Sequence, residues 1–390
     1  MPEITYIGPA VEQDYGELMT LLDAVFFLDD DEPRRDFLTL LPKLYKREYA
    51  PWANNYILKE DGAIKAAVGM YVYDAVIAGR PCRMGGIGNV AVDADCRRNG
   101  YMRLTMDAAM QAMSDAGCAF GILGGQRQRY GYWGFEKGGW ELGGSFNRSN
   151  LRHMPEIATD LKPEPLTGPA DLKLVQSAHE RDLLHTRHDA SAFYDVLCSW
   201  DSKPHILRDG KGVAAYFCLN REKDEIGNLR LLQPERFHEI FKALIALLPL
   251  NRNGFGVDCA PWDTELIACL EKYGEGYSYD TSGTYAVLCW GSTLSLLLPA
   301  QGQLKPLPDG SVTALIHGQC GDETLRISVT GGQPSVAATA DAPDFELDRL
   351  EAVRFFTHPF CQKRVEIAAR FPCLNSWLPL PMCWRGYDHV

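Results

Sequence analysis

The sequence predicts an α+β protein with mixed β-sheets, divided into three units. Three observations lead there. Segments of period-two alternation are interspersed with segments of helical spacing. One small-residue strand runs through a glycine-bearing loop into a helix and on to a buried strand, the order of a crossover unit. The element order of residues 55–140 then recurs weakly before residue 290. With 390 residues the chain is too long for one ordinary core.

The first unit, 1–150, opens with a helix over Gln13 to Phe27, where Leu18, Leu21, Leu22, Val25 and Phe26 share one face. Asp29-Asp30-Asp31-Glu32 and Pro33 break it, and a second helix is expected over Arg35 to Tyr45. Asn55–Lys59 and Ala63–Val72 read as strands around the turn Glu60-Asp61-Gly62, and Ile77-Ala78-Gly79-Arg80 as a further tight turn. Gly85–Val92 is a strand rich in small residues, Gly100–Ala116 a helix closed by Gly117, and Ala119–Leu123 a buried strand.

The second unit, 151–290, follows a Pro- and Gly-bearing linker. It reads as a hairpin (His205–Leu219), strand (Asn228–Leu232), helix (Pro234–Leu247), strand (Gly254–Cys259), helix (Trp262–Tyr273) and strand (Thr281–Trp290). The third unit, 291–390, offers three alternating stretches and a helix over Phe345–Phe356. Its aromatic tail, WLPLPMCWRGYDHV, is expected to dock, because Trp377 and Trp384 would otherwise leave apolar surface in water.

Composition narrows the function. Hydrophobic residues at 46% and charged residues at 23% fit a soluble globular protein. A net charge of −12 argues against a nucleic-acid partner, which needs a basic face. No apolar run of about 18 residues or more indicates a membrane span. The N-terminus lacks a secretory pattern, so a cytoplasmic location is expected. The 12 cysteines include no C-x-x-C pair and read as reduced thiols rather than zinc ligands. His185 and His188 in HTRH lack a third-ligand pattern, and no metal is expected.

The chemistry concentrates in GNVAVDADCRRNGYMRLTM, residues 88–106. A helix start presents unpaired N–H groups and partial positive charge. Arg97, Arg98, Asn99 and Gly100 at that start make an anion cradle suited to a diphosphate. Gly100 allows close backbone approach, and Arg98 and Arg103 add charge-assisted hydrogen bonds. Neither the lysine of a P-loop nor G-x-G-x-x-G is present here.

This loop, its Val90-Ala91-Val92 strand and the later Tyr130-Gly131-Tyr132-Trp133-Gly134-Phe135-Glu136 segment resemble the GCN5-related N-acetyltransferases (GNAT superfamily). The RRNGYMR loop, the degenerate second copy and the third unit with its tail resemble, more narrowly, the Eis (enhanced intracellular survival) acetyltransferases. That resemblance implies tandem GNAT folds followed by a sterol-carrier-like domain, acetyl-CoA as donor, a primary amine or lysine as acceptor, and a hexamer. It implies acetyl-CoA contacts at Val90, Ala91, Val92, Arg97, Arg98, Asn99, Gly100, Tyr101, Met102, Arg103, Gly125 and Gln126. Met102 stands where the superfamily prefers a smaller residue.

The same resemblance makes Tyr130 the general acid, with Tyr132 its rival two residues on, on the same face of a strand. It makes the C-terminal carboxylate of Val390 the general base, with Asp388 or His389 as alternatives. Asp29, Asp30 and Asp31 would meet a cationic acceptor, aminoglycoside-like or polyamine. The second copy, with LLQPERFHEIFKAL in place of the loop, is not expected to bind CoA. Two rival functions remain: a non-catalytic CoA- or lipid-binding regulatory protein, and a peptide N-terminal acetyltransferase.

Overall fold

The computed structural model describes residues 3–27, 36–220 and 225–388. Asp29, Asp30, Asp31, His389 and Val390 therefore lie outside the described residues. The first half begins with β1 (Ile4–Pro9) and helix α1 (Tyr15–Phe26). The expected helix over Arg35 to Tyr45 is instead two four-residue turns, Phe37–Leu40 and Pro42–Tyr45. Leu41 precedes a proline, which disfavours the helical conformation, and it sits at φ −130°, ψ 62°.

Next come β2 (Asn55–Glu60), β3 (Ala63–Ile77), β4 (Arg80–Val92), helix α2 (Tyr101–Asp115) and β5 (Phe120–Leu123). Ala78 and Gly79, both at positive φ, form the tight turn between β3 and β4. Both strands run further than the sequence reading placed them. Within this sheet β4 and β5 are parallel, as a crossover through α2 requires, and the other pairings are antiparallel. Gly85 of β4 has a packing cause. Gly85 and Gly121 are register partners, and the Met113 sulfur from α2 lies over both. A β-carbon would come within 2.4 Å of it at Gly85 and 2.7 Å at Gly121.

Two strands then cross between the halves. β6 (Glu136–Gly138) stays with the first sheet, but β7 (Glu141–Asn147) leaves it. The second half contributes β8 (Lys162–Pro165), β9 (Leu184–Thr186), β10 (Lys203–Asp209), β11 (Gly212–Leu219), β12 (Ile226–Leu231), helix α3 (Phe237–Leu247), β13 (Gly254–Cys259), β14 (Gly276–Asp280) and β15 (Gly283–Val287). The first sheet runs β1-β2-β3-β4-β5-β15-β6, with β9 on the far end of β3. The second half runs β12-β11-β10-β8 and, separately, β13-β7-β14. Place by place the orders correspond, and β7 and β15 have changed sides. This exchange crosses the divisions expected near residues 150 and 290.

The expected strand Thr281–Trp290 is shorter, and a helix the sequence reading missed begins at its end: α4, Trp290–Leu304. Its run SLLLPAQ carries a proline and has no local cap. The start is held from afar instead, where the Glu323 carboxylate accepts from the N–H groups of Trp290 (2.7 Å) and Gly291 (2.8 Å).

The last sheet comprises β16 (Gly310–Gly318), β17 (Gly321–Thr330), β18 (Gln333–Ala338) and β19 (Phe345–Asp348), in the order β18-β17-β16-β19. The helix expected from Phe345 starts four residues later, as α5 (Arg349–Thr357). Asp348 caps it and Glu351 reaches back, a reciprocal box that leaves residues 345–348 free to pair as a strand. The tail docks as expected, with Trp377 and Trp384 buried in a core shared by β5, β15 and α4. Among the described residues no helix is long and apolar enough to cross a membrane.

Candidate active site

The site begins where the first sheet splits. Pairing of β4 with β5 ends at Ile87↔Leu123, yet β4 continues to Val92. On its other edge Gly88 faces Gly69 and Ala91 faces Ala67, so three steps on β4 match two on β3. The extra residue makes a bulge at Asn89, which adopts φ 51° and donates its side-chain N–H to the Tyr45 hydroxyl. A bulge bends its strand, and this one lies at the split.

A cleft of about 960 Å³ lies elsewhere, at the β3–β9 edge; the one at the split measures about 620 Å³. Val90, Val92, Arg97, Arg98, Gly100, Tyr101, Met102 and Arg103 line the cleft at the split, together with Val25, Arg129 and Trp133. Ala91 faces the opposite way, into the core with Ile57 and Ala67. Asn99, Gly125 and Gln126 are exposed and do not line the cleft.

The loop residues divide by what already holds them. Arg97 and Arg98 are exposed and have no ion-pair partner among the described residues. Arg98 (φ 74°) and Gly100 (φ 80°) both adopt the left-handed conformation, and no side chain caps the start of α2. The helix therefore offers its first amides toward the cleft. Arg103 is engaged, over the Tyr132 ring at 5.0 Å and 3.7 Å from Asp107. Tyr101 packs on Leu58 and Ala66, and its hydroxyl donates to Glu60. Uncapped amides beside two free guanidinium groups fit a diphosphate, and the apolar Val90 and Val92 fit the arm of a coenzyme A thioester.

Tyr130 and Tyr132 do not lie on the expected strand. Arg127–Tyr130 is a helical turn and Gly131–Trp133 a 3-10 turn ended by Gly134 at φ 83°. Tyr130 and Tyr132 thus do not share a face: Tyr130 is buried and Tyr132 is 49% exposed. Burial pushes the Tyr130 phenol above its ordinary value, against the opposing charge of Arg129. Glu136 is clamped by Arg127 and, from α5, by Arg354 at 2.6 Å. Burial would raise its carboxyl, but these partners and the Lys137 N–H hold it below the usual range.

A second cavity, about 390 Å³, opens at the C-terminal end of β5. Leu123 and Gly124 meet Trp200 and Asn228 from the second half and Gly386 and Tyr387 from the tail there. Trp200 is 46% exposed and holds φ 62°, a strained conformation for so large a residue, with its N–H on the Leu40 carbonyl at 2.7 Å. Lys43 donates to the Tyr387 carbonyl at 2.6 Å. Asp388 is buried and accepts from Thr186 (2.5 Å) and His188 (3.2 Å). Burial opposes its charge, but His179, His188 and Thr186 hold its carboxyl far below the usual range.

His188 therefore partners Asp388 and His179, not His185, whose Nδ1 turns to the Asp182 carbonyl at 2.8 Å. The Nε2 of His179 faces the Thr186 carbonyl at 2.9 Å, so it carries a proton there, and the cluster reads as a hydrogen-bond network. The sequence reading missed Lys43, His179, Thr186 and Trp200. Each is set by a partner distant in the chain, and no local pattern marks it.

Comparison with known proteins adds the family. Residues 7–142 match the model of the acetyltransferase (GNAT) domain. Among curated proteins no sequence matches. Solved structures match over the whole chain. A GCN5-related N-acetyltransferase from Kribbella flavida has 15% identity and TM-score 0.68, covering 100% of this chain and 99% of its own. A conserved protein of unknown function from Enterococcus faecalis V583, described as a probable N-acyltransferase, has 13% identity and TM-score 0.72, with 100% of both chains covered. Eis1 from Mycobacterium abscessus has 13% identity and TM-score 0.62, covering 100% and 99%. At these identities the likeness is one of fold. Residues 7–142 are thus a GNAT acetyltransferase domain, and it is this domain that supports acyltransferase chemistry with acetyl-CoA as donor.

Proposed function

We propose that the chain moves an acetyl group from acetyl-CoA to a primary amine of an aminoglycoside-like, polyamine or lysine-type acceptor. One observation carries this reading. The segment Gly124–Trp133 borders both cavities: Gly124 lines the one beside the tail, while Arg129 and Trp133 line the cleft with the arginine loop. Tyr130 lies between them in sequence, its ring against Gly125. A donor held in one cavity and an amine in the other would meet across this segment.

In this reading Arg97, Arg98 and the first amides of α2 hold the diphosphate. An N–H of the Val90–Val92 strand steadies the thioester oxygen; one such donor is worth roughly 3–4 kcal/mol when pre-aimed. Tyr130 gives its proton to the departing sulfur as the C–S bond breaks and the C–N bond forms. Its raised value suits the role, because the phenol stays protonated at neutral pH. The Val390 carboxylate, or Asp388 or His389 near it, takes the proton from the attacking amine. Asp388 is the least suited of the three, since its neighbours hold its carboxyl far below the usual range and make it a weak base. Asp29, Asp30 and Asp31 would attract a cationic acceptor.

The Eis resemblance extends the proposal to a cytoplasmic hexamer with a sterol-carrier-like last domain. Turnover with a panel of amines tests the activity. Tyr130→Phe is expected to lower kcat with CoA affinity kept, and residues appended after Val390 to depress turnover. CoA binding without turnover on any amine would favour the regulatory reading instead.

A further inference from the structure

The second half contains a counterpart of the donor cleft. On β12, Gly227 faces Cys218 and Arg230 faces Tyr216, again three steps against two. The bulge residue is Asn228, at φ 50°. Gly88-Asn89-Val90-Ala91-Val92 and Gly227-Asn228-Leu229-Arg230-Leu231 are thus one device used twice. The sheet splits here too, since β12 and β13 belong to separate sheets.

The two clefts are furnished differently. Arg230 stands where the first copy has Ala91, and it donates to Asp182 at 2.8 Å. Arg236, ahead of α3, is committed to Asp209 and Glu239 and is not free for a diphosphate. The cavity that remains, about 340 Å³, is bounded by β12, β13 and the tail residues Cys383 to Tyr387. Arg385 is nearly buried, 3.0 Å from Asp182 and 2.6 Å from Asp263. Two arginines and two aspartates from four separate segments balance in charge around this point.

We propose that the second cleft is the receptor for the chain's own C-terminal segment, with Arg385 as the positioning residue that holds Gly386–Asp388 at the cavity beside β5. The position that takes a nucleotide thiol in the first copy takes a peptide in the second. One ion-paired arginine then sets where Gly386–Asp388 lie. For turnover, the consequence rests on the function proposed above.

The test uses the full chain. Carboxypeptidase digestion followed by mass spectrometry reads the anchoring directly. Arg385→Gln is expected to release C-terminal residues about tenfold faster or more than wild type, by raising the open fraction. Arg385→Lys should restore part of the protection. CoA should bind with one site per chain and an affinity within about twofold of wild type, while kcat falls about tenfold or more through misplacement of the tail. Asp263→Asn, which leaves Asp182 in place, serves if Arg385→Gln does not fold. Equal digestion rates, an unchanged kcat in a variant with a released tail, or two CoA per chain would each overturn the proposal. If wild type acetylates no amine, the function reading fails, and digestion still decides the anchoring.

Discussion

The ring of Tyr130 lies against Gly125, so closely that a β-carbon at Gly125 would come within 2.6 Å of Cε2. The glycine makes room for the ring that the proposed mechanism uses. Gly125→Ala should therefore displace the phenol without touching the arginine loop. The expected result is a fall in kcat of about tenfold or more, with the CoA dissociation constant held within about twofold. Steady-state kinetics with calorimetry checks it, and an unchanged kcat would remove Tyr130 from the chemistry.

The arginine loop should behave in the opposite way. Arg98→Ala removes a guanidinium free of ion pairs among the described residues. A hydrogen bond to a charged group is worth about 1.5–3 kcal/mol, so CoA affinity should weaken roughly tenfold or more. Gly100→Ala meets open space but must adopt φ 80°, which costs about 1–2 kcal/mol and should also weaken binding. Titration calorimetry with CoA reads both. Affinity unchanged in both variants would place the diphosphate elsewhere.

Glu141 gives a pH dependence with a definite sign. Burial, with Asp258 and Asp280 nearby, pushes its carboxyl up to about 7. A raised carboxyl keeps its proton longer in the folded state than in the unfolded one. Its contribution to stability is thus present in acid, below the unfolded value, and is lost as pH rises through about 7. Glu141→Gln cannot ionise. Its melting temperature relative to wild type should climb between roughly pH 5 and pH 8. A difference that stays flat across that range would contradict the assignment.

The clamp on Glu136 ties the last unit to the segment that carries Tyr130. Arg354→Met leaves Glu136 with Arg127 and the Lys137 N–H and should destabilise the chain by about 1.5–3 kcal/mol. Glu136→Leu should be milder than Arg354→Met, because it removes the buried charge rather than leaving it with one of its two cations. Denaturant unfolding of the two variants decides the order.

The reciprocal exchange of β7 and β15 makes the halves interdependent. A fragment of residues 1–150 lacks the strand that joins β5 to β6 and keeps β7 with no partner strand. It should fail to give a cooperative thermal transition, and co-expression with residues 151–390 should restore one. A fragment that melts cooperatively by itself would show that the exchange is dispensable.

The sequence by itself determined the features that local sterics impose. Helical spacing fixed α1 and α2. Gly100 was legible as a point of close backbone approach at a helix start, and the arginines beside it as a candidate anion site. Asp348 and Glu351 also form a legible cap, and reading it would have moved the start of α5 off the strand. Tertiary structure decided what depends on partners far along the chain. Glu323 starts α4 from more than thirty residues away. Met113 explains Gly85 of β4 and Gly121 of β5, and the receiving sheets place β7 and β15. The aromatic tail could be expected to dock, and the resemblance directed its end to the active site, but the residues that hold it, Lys43, Asp182, Thr186 and Asp263, could not be read from the sequence. A turn or a cap is settled by a few neighbouring dihedral angles, whereas strand partners and buried ion pairs are settled by the free energy of closing the whole core at once.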